Sequence, residues 1–213
     1  MNEQLDRPEA PSGAGLVLTH GASGSSRSPF LIALAGAFSA RGVTVLRYDL
    51  PYRQASPTAP PRPEGGARDR DGLRTAVKTL RAMVPGPVFL GGQSYGGRQA
   101  SMLAASEPAL ADALLLLCYP LHPPRRRTEL RTAHLPELRT PALFAHGTRD
   151  PFGSLEEIEA ARDLIPARTA LFPIEGAAHD LYRAPRRAGP DVVGRIVEAF
   201  LAFVAEGSGE PNT

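Results

Sequence analysis

The sequence holds one cysteine, Cys118, so no disulfide can close within the chain. Its place at the end of the apolar run Ala113–Leu117 marks it as a small buried residue rather than a nucleophile. Lysine is as scarce: Lys78 stands alone, and the rest of the basic charge is arginine. Together with abundant alanine and proline, this bias points to GC-rich coding more than to a polyanionic ligand. No apolar run approaches the ~20 residues a membrane-spanning helix needs. Met1–Gly15 has neither a basic n-region nor an apolar h-region, so no secretory signal is expected and the cytoplasm is the expected location. The formal net charge is only +2. Arg125-Arg126-Arg127 is the one basic cluster, and without a broader stripe and interleaved aromatics it reads as a solvated loop, not a nucleic-acid surface.

At 213 residues, 42% hydrophobic and 22% charged, the chain has the make-up of one soluble domain. The expected layout is a polar tail over 1–14, a single domain over 15–206 and a short tail over 207–213. Short apolar runs read as strands at Leu16–Thr19, Val43–Tyr48, Pro87–Leu90, Ala113–Leu117, Pro141–Ala145 and Thr169–Phe172. Helical patterns alternate with them: Pro29 to Gly42, Asp69 to Pro85, Arg98–Ser106, Ser154–Leu164 (with Ser154 as N-cap) and Asp191–Ala205. The proline-rich stretch 51–68 reads as a long surface loop. Alternating strands and helices imply a three-layer α/β/α sandwich on a mostly parallel sheet, with ligands bound beyond the carboxyl ends of the strands.

One motif organises the rest. Gly91-Gly92-Gln93-Ser94-Tyr95-Gly96-Gly97 lies between a strand and a helix, the layout of a nucleophile elbow. Such a turn strains the serine and brings its neighbours against the adjoining elements, where only glycine fits. The pentad alone is a weak signal. It gains weight because Asp150 and His179 follow in the order Ser, acid, His, each just after an expected strand. Of the five histidines, His179 is the expected base. His20 is expected to shape the glycine-rich loop, His146 to bond within its own loop, and His122 and His134 to meet solvent or line the pocket. Asp49, Glu175 and Asp180 compete less well with Asp150 for the role of acid. The expected oxyanion donors are the N–H groups of Tyr95 and Ala22, the latter in the loop His20–Ser26, with Gly21 and Ser23 as rivals for Ala22. His122, Phe152 and Leu181 are expected to line the substrate site. No metal and no cofactor are expected.

The segments His20–Gly24, Gly91–Arg98, Tyr119–Pro124 and His146–Gly153 together resemble the α/β-hydrolase superfamily over most of the chain. More narrowly they are similar to a small cap-less group, dienelactone-hydrolase-like, named after a testis-expressed protein and a subunit of the NSL chromatin complex. Gln93 and Tyr95 depart from the lysine or histidine and the methionine expected beside the serine in that group. The resemblance implies an eight-stranded type of sheet, shortened at its N-terminal edge, and the same triad. The expected activity is serine hydrolysis of an ester or related acyl bond in a small soluble substrate. The rival expectation is a catalytically idle binding or scaffold protein on the same fold.

Overall fold

The computed structural model describes residues 3–123, 125–183 and 191–207. Among these, seven strands form one sheet: β1 (Glu3–Asp6), β2 (Gly15–Thr19), β3 (Thr44–Tyr48), β4 (Val88–Gln93), β5 (Leu114–Leu117), β6 (Ala142–Gly147) and β7 (Thr169–Ile174). Their order across the sheet is β1-β3-β2-β4-β5-β6-β7, parallel throughout except for β1. The helices are α1 (Pro29–Ser39), α2 (Pro51–Ala55), α3 (Gly66–Arg81), α4 (Tyr95–Ser106), α5 (Leu155–Arg162) and α6 (Val192–Glu206). No described helix is long and apolar enough to cross a membrane.

Period-two alternation along buried strands sorts side chains to the two faces of the sheet. Val17, Leu46, Leu90, Leu114 and Leu116 face α3, α4 and α5, while Leu16, Leu18, Val45, Leu115 and Leu117 face α1 and α6. Each such leucine, fully buried, stabilises the fold by about 2 kcal/mol relative to exposure. Ser154 caps α5 through a full capping box with Glu157, as its sequence indicates.

Two segments differ from expectation. Glu3–Asp6 lies in the expected tail yet pairs antiparallel with β3. Its four residues carry no apolar alternation to betray a strand, and Asp6 is held by Arg47 at 2.8 Å instead. The stretch 51–68 holds α2, opened by Pro51 at its first turn, and a 3₁₀ turn, Pro63–Gly65, that leads into α3. The C-terminal tail beyond Gly207 lies outside the described residues.

Chain order explains where a site can form. From β2 the chain crosses to β3 on one side, then returns past β2 to β4 on the other. The loops leaving β2 and β4 therefore diverge and open a crevice at the carboxyl edge. There the turn from β4 into α4 is very tight: Ser94 has φ 50° and ψ −114°, outside the ordinary region for a side-chain-bearing residue. A Cβ on Gly92 would sit 2.5 Å from the backbone of Gly96 and Gly97, and one on Gly96 would sit 2.5 Å from the His20 carbonyl oxygen. Both glycines are sterically required, and Gly96 also sets how closely the loop after β2 approaches the elbow.

Helix α4 is fastened from behind as well. The Ser101 hydroxyl bonds His134 Nε2 at 2.8 Å, and the buried Tyr119 hydroxyl lies 3.3 Å from both. Burial first, then the charges of Arg98 and Arg70, pushes the His134 pKa down to about 4.

Two outcomes follow. Gly96→Ala forces backbone apart, so it should cost at least about 2 kcal/mol in denaturant unfolding. For His134, the unfolded chain takes up a proton near pH 6.5 while the folded protein does so only near 4. The unfolded state thus binds more protons in that window, and stability should fall as pH drops through it. His134→Gln, which retains a partner for Ser101, should lose less of its thermal midpoint between pH 7 and pH 4.5 than the wild type does.

Candidate active site

Ser94 stands at the start of α4, half-buried, with its Oγ 2.8 Å from His179 Nε2. His179 Nδ1 lies 2.7 Å from Asp150 Oδ2. An ionised carboxylate only accepts, so the imidazole proton sits on Nδ1, which leaves the Nε2 lone pair facing the serine hydroxyl. Asp150 has its side chain fully buried, and its other oxygen accepts the Phe152 N–H at 2.9 Å. The loops carrying acid and histidine are joined by the Arg149 N–H to the Ala177 carbonyl, 2.9 Å, and the Gly176 N–H to Thr148 Oγ1, 2.8 Å. The Phe152 ring lies against His179, centroids 4.1 Å apart, and limits how the imidazole can turn.

Facing the serine is the loop after β2. The Gly24 N–H closes a turn onto the Gly21 carbonyl at 3.0 Å, and a Cβ on Gly21 would lie 3.4 Å from Ser94 Cβ. The Ala22 carbonyl is held by the Tyr52 hydroxyl and by Arg53 Nη2, each at 2.9 Å. This fixes the peptide that follows Ala22 and with it the whole turn. Among the described residues the Ala22 N–H meets no acceptor, and the Tyr95 N–H, first in α4, has none within its helix.

Buried polar groups support this loop. His20 bonds the Gly21 carbonyl through Nδ1 at 2.8 Å and accepts the Leu50 N–H at Nε2, 3.1 Å, so it shapes the turn as its position indicates. Burial lowers its pKa and keeps it neutral. Asp69, almost wholly buried, accepts the Tyr95 hydroxyl at 2.7 Å and the Tyr52 N–H at 3.2 Å. One carboxylate thereby ties α2, α3 and α4 together. Burial raises the Tyr52 pKa to about 12 and, with the help of Asp69, lifts Tyr95 further, so both phenols remain donors.

A cleft of about 1030 Å³ opens over Ser94. Tyr95 and Phe152 line it, and Pro61, Arg62 and Pro63 bring the proline-rich stretch into its wall. Two expected lining residues are corrected. His122 is buried and turned away, with Nε2 3.2 Å from Glu157, because its own N–H is drawn to the Phe152 carbonyl. Leu181 is fully buried in the core under α1 and α6, and its neighbours Asp180 and Tyr182 face the cleft instead. His134, bonded to Ser101, lies behind α4, and His146 donates to the Gly153 carbonyl at 2.9 Å within its own loop.

Sequence reasoning missed Tyr52, Arg53 and Asp69, and with them the arginines Arg70, Arg98 and Arg131 of the cleft lining. Pro51 at a helix start was the one available signal for α2. Cys118 is buried with φ 49°, in the left-handed region, directly after β5. Its sulfur, Asp150 and His179 lie within 4.8 Å of one another, a spacing a metal could use. The donor chemistry does not suit one, since Asp150 and His179 already bond each other. Burial, reinforced by Asp150, also pushes the Cys118 thiol well up, away from thiolate.

The family described as Alpha/beta hydrolase domain matches residues 12–205. Among solved structures, an α/β serine hydrolase without a lid from Xanthomonas campestris is 18% identical, with a TM-score of 0.71 over 98% of this chain and 90% of that one. A dienelactone hydrolase from Anabaena variabilis is 20% identical, with a TM-score of 0.71 over 96% of this chain and 90% of that one. DcsB, solved with a substrate analogue, is 15% identical, with a TM-score of 0.77 over 96% of this chain and 94% of that one. These identities establish a shared fold. With an elbow serine, an acid and a histidine placed on that fold, and a family match spanning most of its length, this chain belongs to the alpha/beta hydrolase domain family.

Proposed function

We propose that this protein is a cofactor-independent serine hydrolase that cleaves an ester or related acyl bond of a small substrate. The observation that carries the reading is the unbroken relay from Asp150 through His179 to Ser94, with bonds of 2.7 and 2.8 Å, opening into a cleft.

A serine hydroxyl attacks a carbonyl only if its proton leaves as the new bond forms. His179 Nε2 takes that proton, and the buried Asp150 carboxylate stabilises the imidazolium and holds its tautomer. Oγ bonds to the acyl carbon, and the negative charge on the former carbonyl oxygen meets the N–H groups of Tyr95 and Ala22. The tetrahedral species collapses, and His179 gives its proton to the departing alcohol oxygen. Water then attacks the acyl-enzyme with His179 again as base, which releases the acid and restores Ser94. The oxyanion donors are fixed before substrate arrives, so no reorganisation is required as charge develops. An open cleft suits small soluble esters.

The test is hydrolysis of 4-nitrophenyl butyrate by purified protein. Ser94→Ala and His179→Ala should each lower kcat/KM by roughly 10⁴-fold or more, and Asp150→Asn by roughly 10³–10⁴-fold. Activity in wild type that survives Ser94→Ala would remove the mechanism. Tyr52→Phe deletes one of the two side-chain bonds to the Ala22 carbonyl, so Tyr52 acts as a positioning residue for the oxyanion loop. That variant should lower kcat about tenfold, as expected for one hydrogen bond of ~1.4 kcal/mol, with KM little changed. A rise in KM at constant kcat would place Tyr52 in substrate binding instead.

A further inference from the structure

The cleft over Ser94 has an electrostatic feature that ester hydrolysis alone does not use. Arg70 from α3, Arg98 from α4 and Arg131 from the segment between β5 and β6 all line it, and each is half-buried. Several other arginines among the described residues meet carboxylates, Arg47 with Asp6, Arg74 with Glu107, Arg81 with Asp112 and Arg126 with Glu129, while Arg53 and Arg162 bond neutral oxygens. Among the described residues Arg70, Arg98 and Arg131 form no ion pair. Arg70 Nη1 donates to Gln99 Oε1 at 2.9 Å and Arg131 Nη1 to the Pro120 carbonyl at 3.2 Å, both neutral acceptors. Arg98 is the least satisfied of the three, because its Nε is buried without any hydrogen-bond partner.

Their fields overlap. After burial, the Arg98 charge is what most lowers the pKa of Arg131, and Arg98 and Arg70 together help depress His134. Like charges gathered in a half-buried site repel one another, and an orphaned buried donor costs further free energy. A bound anion relieves the repulsion. The two acidic residues of the lining, Glu64 and Asp180, form no ion pair with these arginines.

The position is also informative. Arg98 follows Ser94 by four residues, and its N–H bonds back to the Ser94 carbonyl at 3.0 Å. Residues four apart share a helix face, and helical side chains lean towards the N-terminus. Four residues rise about 6 Å along the axis. An anion seated on Arg98 therefore lies a few bonds from a carbonyl carbon held at Ser94 Oγ. Guanidinium forks match carboxylate and phosphate oxygens alike, in paired hydrogen bonds.

We propose that Arg98, with Arg70 and Arg131, forms an anion subsite, and that the substrates are acyl compounds carrying a second, ionised carboxylate or phosphate group a few bonds from the scissile carbonyl. The inference rests on the hydrolase reading and deepens it.

The experiment compares kcat/KM for two esters of similar size, neutral 4-nitrophenyl butyrate and anionic 4-nitrophenyl hydrogen glutarate, at low salt. Wild type should favour the anionic ester at least tenfold. Arg98→Met and Arg131→Met should each lower that ratio at least several-fold, through KM, while Arg98→Lys retains part of it. A ratio within one preparation does not depend on the fraction folded. Arg126→Met, outside the cleft, should leave the ratio as in wild type. Inhibition by glutarate against inorganic phosphate then distinguishes carboxylate from phosphate as the preferred group. A wild-type ratio near one, or a ratio unmoved by both methionine variants, overturns the subsite while leaving the hydrolase intact. If neither ester is turned over, the hydrolase reading fails separately and calorimetry decides the subsite. Glutarate binding to wild type that is lost in Arg98→Met supports it, and absence of glutarate and phosphate binding removes it.

Discussion

At Ser94 a strand ends and a helix begins without an intervening loop, and the backbone tolerates this only because Gly92 and Gly96 leave room for each other and for the His20 carbonyl. Everything chemically interesting is arranged around that close approach. It exposes the serine oxygen beyond the sheet edge and aims the first N–H of α4 outward. It also brings the loop after β2 within van der Waals reach of the serine. The backbone strain at φ 50° is held by a core on both faces of the sheet and by Ser94 N–H donating to the Leu117 carbonyl at 2.7 Å.

Among the described residues two serine–histidine contacts have equal length, 2.8 Å, and they differ in what surrounds them. Ser101 and His134 form the first, but Ser101 is fully buried and no carboxylate orients His134 among the described residues. Burial and nearby arginines there oppose the imidazolium that proton abstraction would create. At Ser94 and His179 the partners differ: the Asp150 carboxylate, itself wholly buried, bonds the far ring nitrogen at 2.7 Å. The first pair fastens a helix, and the second carries the proposed chemistry.

The sequence made the sheet and the three relay residues legible for one reason. Parallel strands buried on both faces appear as short apolar runs, and each polar residue of the relay lies in the segment that follows such a run. Ser94, Asp150 and His179 were candidates because a glycine-flanked serine, an acid and a histidine follow these runs in that order. Strand β1 could not, since an edge strand of four residues needs only one apolar side chain and an ion pair to hold it. The support beneath the oxyanion loop was also hidden. Tyr52, Arg53 and Asp69 are far from the elbow in sequence, and their role arises from where α2 folds back, which proline content masked as loop. His122 and Leu181 failed as lining residues because proximity to a motif says nothing of which way a side chain faces. His122 turns to Glu157 and Leu181 into the core.

The central claim is that Ser94 is the one activated hydroxyl of this protein. Reaction of the folded protein with a fluorophosphonate, followed by intact mass and peptide mapping, tests it without knowledge of the substrate. The account predicts a single adduct, on Ser94, whose formation slows sharply in His179→Ala. A folded protein that forms no adduct, or one modified at Ser101 in place of Ser94, would contradict it.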